Sequence, residues 1–350
     1  MNIQLWGDIK DQFDNAAIIL GNGASIAFDT FDNPRFNYLS LFEEAKKKQL
    51  ITPEAEQIFC QFSTTDFEQV LLKLWQASQI NEILNVKSNE VDKAYVHIQS
   101  ALIRVVQHIH GSFSEWRTQQ EEFSAKIANA AKFLKDFRTI ISLNYDCLLY
   151  WIILKGNDEE HGNWFKDTFT SNGESHSDWS ELRNPRNAKG TSLVLYPHGC
   201  LCLAINQNST VIKLSLPKNL TTDLISHIAN EWQKKSVVPL FVCEGLTDHK
   251  LMRIKSNPYL ARVYNELSCL NSYGKQVVIY GWDMSGQDIH ILKAIKRNNI
   301  EKIAISIFNK DESFYSRVSK LLLQYFPKLN ESQIFFFDAT SPSCWIYNAT

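Results

Sequence analysis

AAIILGNGAS, residues 16–25, runs an apolar, β-branched stretch straight into Gly21-Asn22-Gly23 and then into small residues that can open a helix. A strand, a glycine turn and a helix start in that order is how the first βα unit of an open α/β sheet is built. The glycines let the backbone come close to a ligand such as a pyrophosphate, and amides at the helix start face its charge. The third glycine and the acid about 20 residues on that complete the dehydrogenase fingerprint are missing. The same letters also fit a tight strand-to-helix turn with no ligand. Glycine is scarce elsewhere, 13 in 350 residues, so two in one turn point to a backbone requirement there.

Other stretches repeat the design of an apolar run ending in polar or glycine residues. ISLNYDCLLY (141–150) places Asn144 and Asp146 just past a buried strand, where alternation sends both the same way. An amide there can position a water or a ribose hydroxyl, and a carboxylate can support developing positive charge. An Asn/Asp turn capping the next helix accounts for the same letters. SLVLYPHG (192–199) ends a strand on His198-Gly199, a candidate base at the same edge, although most histidines are structural. VVIYGWDMSGQDIHIL (277–292) places Gly281, Asp283, Ser285 and Gly286 after a strand, with Asp288 as a helix cap; FVCEGLTDHK (241–250) similarly places Glu244-Gly245. If these strands are parallel, all five ends open on one crevice that would take a nucleotide-like ligand.

Seven apolar runs read as strands: Ala16–Leu20, Thr139–Leu143, Ser192–Tyr196, Val237–Cys243, Gln276–Tyr280, Lys302–Phe308 and Gln333–Phe337. Most are rich in Ile and Val with polar residues at their C-terminal ends, the pattern of strands covered on both faces. Helix-period segments follow at Pro258–Leu270, Asp288–Asn298 and Glu312–Phe326. The expected fold is therefore α/β and Rossmann-like, a mainly parallel sheet with helices on both faces and a large helical insertion.

Residues 1–37 form the first βα unit, 38–137 the helical insertion, and 138–350 the rest of the domain with a polar insert at about 156–190. Within the insertion, Thr65–Leu84, Val91–His110 and Gln119–Phe137 have helical periodicity, with Thr65 and Glu68 spaced as a capping box.

Composition narrows the function classes. Hydrophobic residues make up 44% and charged residues 21%, as in a soluble globular protein, and the formal net charge is −2. That charge gives no footprint for bulk nucleic-acid binding. No apolar run is long enough for a membrane span, and the N-terminus lacks a signal-peptide pattern. Seven scattered cysteines suit a cytoplasmic protein with reduced, mostly buried thiols. Cys200-x-Cys202 puts two on one strand face, but no second pair stands at zinc spacing, and no His/Asp/Glu cluster reads as a metal site.

Taken in order, GNGAS (21–25), LNYD (143–146), PHG (197–199) and YGWDMSGQD (280–288) resemble the sirtuin-like superfamily of NAD-consuming proteins. The resemblance is closest to a bacterial branch long filed as a domain of unknown function, which TTDFEQVL (64–71) and residues 244–260 also resemble.

The resemblance implies NAD as substrate, with Gly21, Asn22, Gly23 and Ser25 near the phosphates and Glu244, Gly281, Asp283 and Ser285 in the binding loops. It implies Asn144 and Asp146 near the nicotinamide ribose and His198 as the base. The two C-x-x-C pairs of the superfamily's deacylases are absent, and NPRFNY (33–38) only loosely echoes the usual stretch after the first loop. Relatives without the zinc module are often NAD hydrolases in bacterial defence against phage. The expected activity is thus NAD+ glycohydrolysis without a metal, gated by an activating partner protein, self-assembly or a nucleotide. The alternative is a non-catalytic sensor of NAD or ADP-ribose.

Overall fold

The computed structural model describes residues 2–29, 40–110, 120–158, 164–183, 191–215, 224–235, 237–242, 247–272, 274–297 and 299–347. The NPRFNY stretch lies outside these residues. The main sheet has eight strands: β1 (Ile3–Gln4), β2 (Ala17–Leu20), β3 (Thr139–Ser142), β4 (Phe165–Lys166), β5 (Ser192–Leu195), β9 (Gln276–Tyr280), β10 (Lys302–Ile307) and β11 (Ile334–Asp338). Their order is β1-β11-β10-β9-β2-β3-β5-β4, and every pairing is parallel. A parallel sheet needs cover on both faces, and helices surround this one. Every residue of β2, β3 and β5 is accordingly buried.

From the central β2 the chain builds outward through β3, β5 and β4. It then crosses to the other side and builds through β9, β10 and β11. The strand order reverses between β2 and β9, and at such a reversal the loops leaving the two strands diverge and open a crevice.

Three glycines set that crevice. The loop after β9 packs directly on the turn after β2. Gly21 N–H donates to Tyr280 O (3.0 Å) and Gly23 N–H to Gly281 O (2.7 Å). A Cβ on Gly21 would lie 2.4 Å from Trp282 Cα, so no side chain fits between the chains. Gly281 has φ +66°, and a Cβ there would lie 2.3 Å from Ala24 N.

The stretch between the first βα unit and β3 is helical. It contains helices Leu41–Lys47, Pro53–Gln61, Phe67–Ile83, Glu90–His110 and Gln120–Leu134, and no strand among its described residues. Ser40 and Thr52 cap the first two by accepting from Glu43 N and Ala55 N. The third departs from expectation. Asp66, not Thr65, holds the cap position, and it makes no side-chain cap bond. Its buried carboxylate instead takes the guanidinium of Arg253, on the helix Thr247–Ser256. A buried charge without its partner costs more than a missing cap, so the tertiary pairing wins over the local one.

One further expectation needs correction. Val237–Cys243 does form a strand, β8 (Val238–Phe241), but not in the parallel sheet. It pairs antiparallel with β6 (Gly199–Ile205), which also pairs with β7 (Val211–Lys213) in a separate three-stranded sheet. Pro239 supplies no amide hydrogen, and β8 is an edge strand, where that loss is tolerated. The described residues of the polar insert at about 156–190 carry structure of their own. It provides the edge strand β4, a bridge from Phe169 to Ser175, and the buried Trp179, over which Arg262 stacks at 4.1 Å.

As expected, Cys200 and Cys202 share one strand face, buried and unpaired by disulfide, with their Sγ atoms 3.1 Å apart. No helix among the described residues is long and apolar enough to cross a membrane.

The glycine contact generates a stability prediction. Gly281→Ala is expected to lower the unfolding free energy by roughly 3 kcal/mol or more, because it combines a left-handed backbone with a backbone clash. Gly286→Ala, where a Cβ meets nothing within 4 Å, is expected to change it by less than about 1 kcal/mol. Urea denaturation of both variants checks this; equal effects would remove the close approach as a constraint.

Candidate functional site

The carboxyl ends of β2, β3, β5, β9 and β10 open into a cavity of about 780 Å³, within the range of small-molecule sites. Gly21, Asn22 and Gly23 line it from the first turn, and Asn144, Asp146 and His198 from the next two strand ends. Gly281, Asp283 and Ser285 line it from the loop after β9. The crevice inferred from sequence therefore brings nine of the candidate residues together. Glu244 lies outside the described residues, and the strand before it belongs to the antiparallel sheet.

Ser25 is placed differently. It is 1% exposed and is not part of the cavity wall. Its hydroxyl donates to Asp146 Oδ2 (2.5 Å) and accepts from Asn144 Nδ2 (2.8 Å). Asn144 Nδ2 also donates to Gly21 O (3.0 Å). A carbonyl can only accept, so the amide orientation of Asn144 is fixed with its nitrogen turned to the first loop. Its Oδ1 is then what the side chain can offer a ligand. The other oxygen of Asp146 accepts from Leu148 N (2.9 Å), at the start of the helix Leu148–Asp158. Asp146 is thus a helix cap and a cavity residue at once, so the two readings of the LNYD turn are compatible.

The first turn is not the cradle of free amides that its letters suggested. The N–H groups of Gly21 and Gly23 are spent on Tyr280 O and Gly281 O, and that of Ala24 on Gly21 O (2.9 Å). The glycines serve close backbone packing, and what they present to the cavity is a surface without side chains. Asp283 is also engaged, accepting from Arg317 Nη2 (2.6 Å).

His198 is 2% exposed and sits among residues whose part in the site was missed in the sequence. Its Nδ1 is 3.3 Å from Leu143 O, and its Nε2 is 2.9 Å from Nε2 of His290. His290 is fully buried, and its backbone carbonyl accepts from Tyr264 OH (2.9 Å). Asp288 Oδ1 lies 3.9 Å from His198 Nε2 and accepts from Lys250 Nζ at 2.9 Å. Asp288 stands at the expected cap position but makes no side-chain cap bond, because Lys250 takes the carboxylate. Lys250 is 3% exposed and reaches the site from the helix Thr247–Ser256. Both missed residues fall inside stretches noted for their strand ends. The signal for Lys250 is helical spacing, since Thr247, Lys250 and Ile254 follow an i, i+3, i+7 pattern. His290 had no signal beyond an apolar surrounding.

Burial sets the electrostatics. It pushes the His198 imidazole down to about 4, with the Asp288 charge opposing and Lys250 assisting. Burial, then His198, brings His290 down to about 3. Burial alone would raise Asp288, but the neighbouring histidines and Lys250 hold its carboxyl below the usual range. At neutral pH burial therefore keeps both rings uncharged, the form in which an imidazole can accept a proton.

The donor atoms of His198, Asp288 and His290 lie within 4.8 Å of one another. This corrects the expectation that no such cluster exists; Asp288 and His290, at the start of the helix Ile289–Ile295, come about 90 residues after His198, a distance that spacing rules cannot bridge. Three such ligands are the protein's share of a divalent transition-metal site. The Lys250 ammonium already stands against the same Asp288 oxygen, and a second cation would meet its charge. The group fits a self-contained ion-pair and hydrogen-bond network better than a metal centre.

The family model for a domain of unknown function, DUF4917, matches residues 18–345. The chain belongs to that family. No curated protein matches. Solved structures with similar chains include one on the mechanism and regulation of Sir2 enzymes, at 8% identity and TM-score 0.39, covering 92% of this chain and 95% of that one. Another is a Sir2 homologue mutant in complex with ADP-ribose, at 13% identity and TM-score 0.34, covering 90% and 94%. At these scores they are recorded as likenesses only.

Two predictions follow from the network. Both histidines have folded values below the ordinary 6.5, so the unfolded chain binds more protons between those values. Their stabilising contribution is complete above about pH 6.5 and falls as pH drops toward 4 and then 3. The expected loss is about 2 kcal/mol per histidine by pH 5. His290→Gln is expected to reduce the pH slope of urea denaturation, and an unchanged slope would show that the histidines are not held neutral.

For metal, elemental analysis is expected to find no stoichiometric zinc, and chelation to leave the ligand-binding properties unchanged. Stoichiometric zinc lost together with Asp288→Asn would overturn the reading of Lys250 as the resident cation.

Proposed function

We propose that this member of the DUF4917 family is an NAD+ glycohydrolase, cleaving NAD+ to nicotinamide and ADP-ribose. The observation that carries the reading is the pairing of a neutral, buried base with an oriented amide. His198 and Asn144 line one cavity at the reversal point of a wholly parallel sheet, where dinucleotide-sized ligands bind. The sequence resemblance to NAD-consuming proteins supplies the substrate class.

The chemistry asks little covalent work of the protein. The bond between C1′ of the ribose and the nicotinamide nitrogen breaks, and its electron pair neutralises the pyridinium. The cation left on the sugar is met by the Asp146 carboxylate in the cavity wall. A water held by Asn144 Oδ1 attacks C1′, and His198 Nε2 accepts its proton. Positioning and charge stabilisation of this kind account for most of the rate in such a reaction. Gly21, Asn22 and Gly23 offer the pyrophosphate a surface it can approach closely, and Ser25 buttresses Asn144 from behind. Gly281, Asp283 and Ser285 form the facing wall.

Free NAD hydrolysis would be toxic to the cell that makes it. The reading therefore includes a gate, an activating partner protein or self-assembly, in keeping with the resemblance to effectors that deplete NAD in anti-phage defence. The second reading, a sensor that binds NAD or ADP-ribose without turnover, is favoured by one feature: His198 Nε2 is already hydrogen-bonded within the protein.

His198→Ala is expected to abolish NAD cleavage with the fold retained. Asn144→Ala is expected to bind NAD while cleaving it at least ~100-fold more slowly, the scale of losing a positioned polar group. Nicotinamide release by chromatography, with binding by calorimetry, checks both. Binding without any release by the wild-type chain, alone or with the products of neighbouring genes, would establish the sensor instead.

A further inference from the structure

The hydrogen bonds of His198 fix where its proton sits. Leu143 O can only accept, so His198 Nδ1 must be the protonated nitrogen at their 3.3 Å contact. In the neutral ring the other nitrogen, Nε2, then carries the lone pair. Nε2 of His290 is 2.9 Å from it, so His290 must be the tautomer that donates from Nε2. The lone pair that would take a proton from water or a ribose hydroxyl is already occupied. A base cannot use one lone pair twice, and burial at 2% exposure leaves His198 little access to a second partner.

From this geometry we infer that His290 is a positioning residue that masks His198, so that the described arrangement is the resting form of the site. The inference rests on His198 being the base of the proposed reaction, and it identifies what the gate must move.

The mask is anchored on one segment. Thr247 Oγ1 bonds Gly286 O (2.8 Å) and Gln287 O (2.7 Å), and Lys250 Nζ bonds Asp288 Oδ1. Residues 286–288 are thus tied to one face of the helix Thr247–Ser256 by two side chains, the one hydroxyl proton of Thr247 being shared between two carbonyls. The same helix carries Arg253, which is ion-paired with Asp66 of the helical insertion. Loosening that helix from the segment lets His290 withdraw, and Nε2 of His198 becomes available while its Nδ1 stays oriented by Leu143 O. Activation is then a shift toward a sparsely populated unmasked state.

The test reads the lone pair directly. Diethyl pyrocarbonate acylates the unprotonated imidazole nitrogen, and peptide mass spectrometry reports the rate at His198. In the full-length chain, His290→Phe keeps a ring in the buried space but removes the donor, and it is expected to speed modification of His198 at least ~10-fold. Thr247→Val, at a half-buried position, is expected to speed it less. His290→Gln, which retains a donor, is expected to restore the slow wild-type rate, a rescue that a purely space-filling role would not show.

NAD turnover by the isolated chain is expected to rise with the modification rate in His290→Phe, and to vanish when His198→Ala is added. Unchanged modification in both His290→Phe and Thr247→Val would overturn the masking. Faster modification with no NAD cleavage under any condition would leave the masking standing and remove the hydrolase reading.

Discussion

The backbones of Gly21, Gly23 and Gly281 touch with no side chain between them, and the rest of the site is arranged around that contact. It joins the loops leaving β2 and β9, the two strands between which the strand order reverses. At such a reversal loops ordinarily spread apart, and here two backbone hydrogen bonds and a left-handed glycine hold them at closest approach. Gly21 O is consequently positioned to accept from Asn144 Nδ2, and Gly281 N–H to donate to Ser306 Oγ at 2.9 Å. The amides used in this way are lost to a ligand. The turn is therefore a rigid floor for the cavity, and the groups able to act on a substrate stand at the neighbouring strand ends.

Desolvation is the second controlling effect. The two imidazoles stay neutral because burial removes the hydration that a cation would need. Asp288 remains ionised in the same surroundings because Lys250 is bonded to it. The site thus contains one compensated ion pair and one neutral hydrogen-bonded pair, side by side. The first depends on Lys250 from the helix Thr247–Ser256, and the second on His290 from the helix Ile289–Ile295. Through Arg253 and Asp66 the helix Thr247–Ser256 is fastened to the helical stretch before β3, which is therefore in direct contact with the element that holds Asp288.

Local pattern and tertiary structure agree wherever a residue's role is set by its immediate neighbours. The parallel strands were legible because each is a short β-branched run ending in polar residues, and the order of those ends located Asn144, Asp146, His198 and Gly281. Disagreement arises where a distant partner offers more than the local one. Asp66 and Asp288 both stand at cap positions, and both turn instead to a cation on one distant helix. Val238–Phe241 has the composition of a core strand but meets β6 running the opposite way, a choice of partner that hydrophobicity cannot express. Ser25 looks like a phosphate ligand from its place in the turn, yet Asp146 and Asn144 take its hydroxyl.

By itself, then, the order of residues determined most of the parallel strands, the edge at which the cavity opens, and the side chains that reach that edge from their own strands. These follow from periodicity and from glycine's missing Cβ, both of which act over a few residues. Tertiary structure alone decided the state of the imidazole at position 198. His198 is neutral because of the burial around it, and its lone pair is directed at His290, 92 positions away. Hydrogen-bond partners at that separation are selected by how the sheet reverses and how one helix docks, and no spacing in the chain encodes either.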